Sequence, residues 1–126
     1  MDKVVHFEIP FENKQRAMQF YSQSFGWKLT DVPEMQYVIA NTVDVDDTQR
    51  PKETGAINGG LFQRPKEAPS PTVYVGVSSV DTALKKVQAA GGTTVTPKTP
   101  IPGMGAYARV KDTEGNIIGL FEYAAS

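Results

Sequence analysis

The stretch "INGGLFQ" (57–63) returns in altered form near the end of the chain as "NIIGLFEY" (116–123). Gly60, Leu61, Phe62 and Gln63 of the first copy stand against Gly119, Leu120, Phe121 and Glu122 of the second. Each copy closes a longer pattern with the same order: strand, helix, strand, strand, strand. A twofold internal repeat implies two similar modules, neither of which can bury its sheet face alone.

Upstream of the first copy, "KVVHFEI" (3–9) alternates, with Val5, Phe7 and Ile9 on one side and Val4, His6 and Glu8 on the other. A helix is expected over 13–25, with Asn13 as its cap, Gly26 as its stop and Ala17, Phe20, Tyr21, Ser24 and Phe25 as its packed face. "WKLTDV" (27–32) and "MQYVIANTV" (35–43) read as strands, and "DVDDTQRPKETG" (44–55) as a polar loop. "DVDD" lacks the glycine and closing glutamate of a calcium loop. "RPKEAPSP" (64–71) reads as a linker.

After it the pattern restarts. "TVYVGV" (72–77) is a strand, Ser79 a cap, and Val80, Ala83, Leu84 and Val87 the apolar stripe of a second helix that Gly91-Gly92 stops. "TTVTP" (93–97) reads as a short strand and "KTPIPGMG" (98–105) as a loop, in which 100–105 is either a lid or a connection. "AYARVK" (106–111) and the closing strand are joined by the turn "DTEG" (112–115). At one common shift Ala17 aligns with Ala83, Gly26 with Gly92, Asn13 with Ser79 and His6 with Thr72. The last strands align at a smaller shift because the 44–55 loop lengthens the first half. The expected architecture is α+β: a single domain of two tandem βαβββ modules, 1–63 and 72–126, forming a curved mixed sheet around a shared cleft with the helices outside.

Bulk composition agrees with one domain. The chain has 126 residues, enough to bury about two thirds of its unfolded surface. It has no cysteine, so disulfides, thiolate metal sites and cysteine nucleophiles are excluded, and a reducing cytoplasm suits it. With 13 basic and 14 acidic residues the net charge is −1, and no basic block invites nucleic acid. No apolar run reaches the length of a membrane span, and "MDKVVHFEIP" (1–10) does not resemble a secretory leader.

Together, "FEIP…RAMQFYSQSFGW" (7–27) at the start and "VKDTEGNIIGLFEY" (110–123) at the end resemble the vicinal oxygen chelate superfamily, which includes glyoxalase I, bleomycin-resistance proteins and extradiol dioxygenases. The resemblance spans nearly the whole chain and bears on fold more than function. It implies metal ligands on the first and last strand of each module: His6, Gln63 and Glu122 as ligands of nickel, cobalt, zinc or manganese, with Thr72 as a departure from the pattern. It also implies a homodimer. With one histidine in the chain, the two-histidine iron site of the dioxygenases fails unless a partner chain supplies another, and a homodimer would supply only His6 again.

If Phe62 and Phe121 pack against the helices, then Gln63 and Glu122 share the cleft with His6, Glu8, Thr72 and Tyr74. Leu61 and Leu120 become its apolar walls, and Trp27, Tyr37, Met104 and Tyr107 further ligand contacts. Glu122 and Glu8 are the candidates for proton transfer, as in glyoxalase-like isomerisation. Each feature also has a plain reading: His6 as a strand histidine bonded to a carboxylate, Glu122 as a solvated charge, the aromatics as core. Two functions stand side by side, a metal-assisted lyase or isomerase and a metal-free protein that binds a small molecule without turnover.

Overall fold

The structure, a computed structural model, describes residues 1–124; the last two positions of the second module, 125 and 126, lie outside the described residues. The chain divides into two compact units. One is His6–Pro71, and the other is the chain from Thr72 onward together with Met1–Val5.

Strand β1 (Lys3–Phe11), which belongs to the first unit from His6 onward, leads to helix α1 (Lys14–Phe25), followed by β2 (Lys28–Val32), β3 (Tyr37–Asn41) and β4 (Gly59–Gln63). The strands lie in the order β2-β3-β4-β1. β1 runs parallel to β4, and the other pairs are antiparallel. α1 begins where Asn13 accepts the Arg16 amide at 2.9 Å and ends at Gly26, whose φ of 72° is left-handed.

Val38 and Leu61 are fully buried and, with Phe11, form the core beneath α1, joined by Ile9, Ala17, Met18, Tyr21 and Leu29. Complete burial of such a side chain stabilises by about 1.5–3 kcal/mol. The packed face of α1 differs from the expected one. Ala17, Met18 and Tyr21 meet the sheet, whereas Phe20 and Phe25 are 56% and 61% exposed. Ala17 and Tyr21 belong to the expected face, Met18 takes the place expected of the phenylalanines, and Phe20 packs edge-on to Tyr21 and Phe25.

The second unit repeats the plan. Strand β5 (Thr72–Gly76), helix α2 (Val80–Ala89), β6 (Thr93–Ile101), β7 (Gly105–Lys111) and β8 (Ile117–Tyr123) follow in sequence, and the strand order is β5-β8-β7-β6. β5 is parallel to β8, and the others are antiparallel. Val80, Ala108, Val110 and Leu120 are its buried core, with Ala83, Leu84 and Val87 supplying the α2 stripe as expected. Ser79 caps α2 by accepting the Thr82 amide at 3.1 Å. The two units share one βαβββ topology, the α+β fold expected from the repeat.

One boundary is corrected. β6 runs through Ile101, where a loop from 98 was expected, despite Pro97 and Pro100. It is the terminal strand of its unit, paired only with β7, and its register shifts between Thr94 and Thr96 and between Thr96 and Thr99. A strand with one free edge and irregular pairing tolerates proline. The segment 100–105 is therefore the end of β6 and its hairpin turn, closed by the Met104 amide on the Ile101 carbonyl at 2.9 Å.

The polar loop 44–55 is ordered by Asp46, whose carboxylate accepts the Thr48 amide at 2.8 Å and the Arg50 amide at 3.1 Å. In the 64–71 linker, Arg64 donates to the Pro69 carbonyl and pairs with Glu12 at 3.4 Å.

Candidate functional site

In the first unit, β1 alternates as the sequence requires. Phe7 and Ile9 lie on the α1 side, with Phe7 against Trp27. His6 and Glu8 therefore occupy the helix-free face. There His6 Nε2 is hydrogen-bonded to the Tyr37 hydroxyl at 2.8 Å, and the Glu8 carboxylate is 3.7 Å from the same nitrogen. Tyr37 stands on β3, two strands from His6, and its phenol crosses β4 above Gly60. A Cβ at residue 60 would lie 1.9 Å from the Tyr37 oxygen. The Glu8 side chain is 12% exposed and that of His6 33%, so the pair is half-sheltered and the imidazole is the more accessible partner.

On the helix-free face of the second unit, Tyr74 of β5 lies over Gly119 of β8, where a Cβ would come within 2.3 Å of its ring. The Tyr74 hydroxyl accepts a hydrogen bond from Arg109 Nε of β7 at 3.1 Å. The guanidinium carbon sits 5.4 Å from the centre of the Tyr107 ring, within cation–π range. Thr72, Tyr74 and Arg109 are all buried, Arg109 to 8% exposure. Tyr74 and Tyr107 are thus brought together around Arg109, a residue not among the expected contacts. The signal was present. Arg109 is a lone cation between Ala108 and Val110, on the same strand face as Tyr107.

The last strands turn the other way from the expectation. Leu61 and Leu120 lie in the helix-side cores and form no wall of the face that carries His6 or Tyr74. Phe62 and Phe121 therefore take the helix-free side, and Gln63 and Glu122 the helix side. The register decides this: Ile9 is paired with Leu61 and Phe11 with Gln63, and Ile9 and Phe11 are core residues under α1. Gln63 is exposed, and its amide donates to the Phe11 carbonyl at 3.4 Å.

Glu122 accepts the Val80 amide at 2.7 Å, which places its charge at the positive N-terminus of α2. Lys98 lies 3.6 Å from the same carboxylate oxygen and 3.1 Å from Asp81. The hydrogen bond to Asp81 and the charges of Asp81 and Glu122 raise the Lys98 pKa above its usual value. Trp27 stacks on Tyr21 at 5.0 Å in the helix-side aromatic cluster. Met104 is exposed in the β6–β7 turn.

These positions test the expected metal set. His6 and Gln63 are on opposite faces of the first unit's sheet, and Glu122 is engaged by a helix terminus. Among the described residues no three histidine, aspartate or glutamate side chains gather in a metal-binding group. The donor set His6, Gln63 and Glu122 does not fit an ion in this arrangement. No helix among the described residues is long and apolar enough to cross a membrane.

Comparison with known proteins agrees with the architecture. Several solved structures share the fold. A hypothetical protein from Bacillus halodurans C-125 is 16% identical, with a TM-score of 0.67 over 99% of this chain and 96% of that one. The methylmalonyl-CoA epimerase of Mycobacterium tuberculosis is 15% identical, with a TM-score of 0.64 over 97% and 88%. The Streptomyces coelicolor methylmalonyl-CoA epimerase in complex with 2-nitronate-propionyl-CoA is 15% identical, with a TM-score of 0.68 over 98% of both chains. None of the curated proteins matches the chain. The family model of the glyoxalase/bleomycin resistance protein/dioxygenase superfamily matches residues 3–120, and the chain belongs to that superfamily.

Proposed function

We propose that each unit binds a small organic ligand on its own helix-free sheet face. His6, Tyr37 and Glu8 are the contacts in the first unit; Thr72, Tyr74, Tyr107 and Arg109 are those in the second. On either face the ligand is held by that unit's side chains and not by a metal on His6, Gln63 and Glu122. The observation that carries this reading is the division of polar groups. The supposed ligands Gln63 and Glu122 serve the helix sides, while a hydrogen-bonded histidine and tyrosine with an adjacent carboxylate gather on the helix-free side. Such a group supplies donors and acceptors that orient a bound molecule, with apolar neighbours supplying area.

The chain's single histidine makes the test direct, because its imidazole resonances need no assignment. Propionyl-CoA, the hemithioacetal of methylglyoxal and glutathione, and a planar aromatic antibiotic are titrated separately. Saturable movement of the His6 signals by one of them, lost in Tyr37→Phe, is the expected result. In parallel the untagged protein is loaded with nickel, cobalt, zinc or manganese and desalted. Retention of about one ion per chain that disappears in Glu122→Ala or Gln63→Ala would overturn the metal-free reading.

Glu8 favours a second reading, proton transfer on the bound molecule. A largely buried carboxylate beside an imidazole is placed to take and return a proton. Hemithioacetal isomerisation that falls at least about 100-fold in Glu8→Gln, with ligand affinity retained, is the outcome that would establish glyoxalase-like turnover over simple sequestration. A homodimer and a cytoplasmic location belong to the same proposal, and light scattering in solution tests the first.

A further inference from the structure

The repeated glycine of "GGLF" and "IGLF" is buried, and in each unit it lies under a tyrosine. The strand orders make the two arrangements comparable. In the first unit Tyr37 leaves β3, passes over β4 at Gly60 and reaches His6 on β1. In the second, Tyr74 leaves β5, passes over β8 at Gly119 and reaches Arg109 on β7. The repeat aligns β1 with β5, β3 with β7 and β4 with β8, so the crossing runs in opposite directions over equivalent glycines. Each ends on a nitrogen-bearing side chain.

The geometry points to Gly60 and Gly119 as positioning residues of the ligand-binding faces. Each leaves the middle strand bare so that a tyrosine can lie flat across it and fix the polar group beyond, His6 in one unit and Arg109 in the other. The inference rests on the reading that these faces bind the ligand, but its geometry stands without one. Neither glycine has a positive φ, so backbone freedom does not account for them. Space does: an added Cβ would fall 1.9 Å from the Tyr37 oxygen and 2.0 Å from Cζ, and 2.3 and 2.4 Å from Cδ2 and Cε2 of Tyr74. Contacts that close require the tyrosine to leave its place.

The experiment needs no ligand, so its failure is distinct from failure of the binding proposal. The His6 ring signals are recorded in wild type, Gly60→Ala, Tyr37→Phe and Tyr37→Ala, and thermal unfolding is followed in the same proteins and in the Gly60→Ala/Tyr37→Ala double variant. Gly60→Ala is expected to move the His6 resonances toward those of Tyr37→Phe and to lower Tm by about 5–10 °C. In the Tyr37→Ala background the same glycine substitution is expected to change Tm by less than about 2 °C, because the ring it would strike is gone.

His6 signals in Gly60→Ala that superimpose on wild type would overturn the assignment, as would a Tm loss equally large with and without the Tyr37 ring. If Gly60→Ala does not fold, the double variant decides: a folded double variant supports the assignment, and an unfolded one beside a folded Tyr37→Ala refutes it. The parallel pair, Gly119→Ala with and without Tyr74→Ala, is expected to show the same dependence on its ring, and a loss independent of Tyr74 would overturn the assignment for Gly119.

Discussion

Glu122 shows how one side chain's role follows from what its strand faces. As a residue near the chain end it reads as a ligand or a solvated charge. In the structure its carboxylate meets the first amide of α2, a donor left without an intrahelical partner. Glu122→Ala is therefore expected to lower stability by about 1–2 kcal/mol. Glu122→Gln, which keeps the accepting oxygen, should lose less than half of that. Urea denaturation of both variants checks the pair, and equal losses would argue that charge alone accounts for the contact. Arg109 makes the converse point. It is a buried cation whose place is set by a phenol at 3.1 Å and a ring beneath it, and the phenol, that of Tyr74, comes from a part of the sequence far from it.

At the scale of elements, the caps and turns followed their sequence signals and the amphipathic face of α1 did not. Phe20 and Phe25 are exposed on that helix, so Phe20→Ser is expected to cost only about 0.5–1.5 kcal/mol, the edge-on ring contacts it gives up, measured by urea denaturation. The turn joining β7 to β8 is held by Asp112, which accepts the amides of Glu114 and Asn116, both at 2.8 Å. Hydrogen bonds from Asn116, chiefly its backbone amide, lower the Asp112 pKa from its ordinary 3.8. Because the folded state binds this proton more weakly than the unfolded state, the turn's contribution is complete above the ordinary value. It is lost as pH falls through the lowered one. Hydrogen exchange at the amides of Glu114 and Asn116 should accelerate over that acidic range, relative to the intrinsic rate, and Asp112→Asn should abolish the pH dependence.

For the whole chain, the repeat ties the cores of the two units together as equivalents. Leu61 and Leu120 occupy matching positions on β4 and β8, each beneath its unit's helix. Truncation of either to alanine is expected to cost about 2–5 kcal/mol, read from urea midpoints, in contrast to the exposed aromatics of α1. A small effect at one of them would break the equivalence. The division of labour between the two helix-free faces is not symmetric, since His6 aligns with Thr72 and Glu8 with Tyr74. The first face carries a histidine and a carboxylate, and the second an arginine between tyrosines.

The sequence by itself determined the order of elements, the twofold repeat, the caps at Asn13, Gly26 and Ser79, and the alternation that sets His6 and Glu8 apart from Phe7 and Ile9. Those features depend on neighbours within a few residues, or on comparison of the chain with itself. Only the tertiary structure decided which of two alternating faces on β4 and β8 meets a helix. Period-two alternation defines both faces equally well, and a change of one residue in register exchanges them. The pairing of Ile9 with Leu61 and the burial of Leu61 and Leu120 resolved the choice, sending Gln63 and Glu122 to the helix side and leaving the glycines beneath Tyr37 and Tyr74.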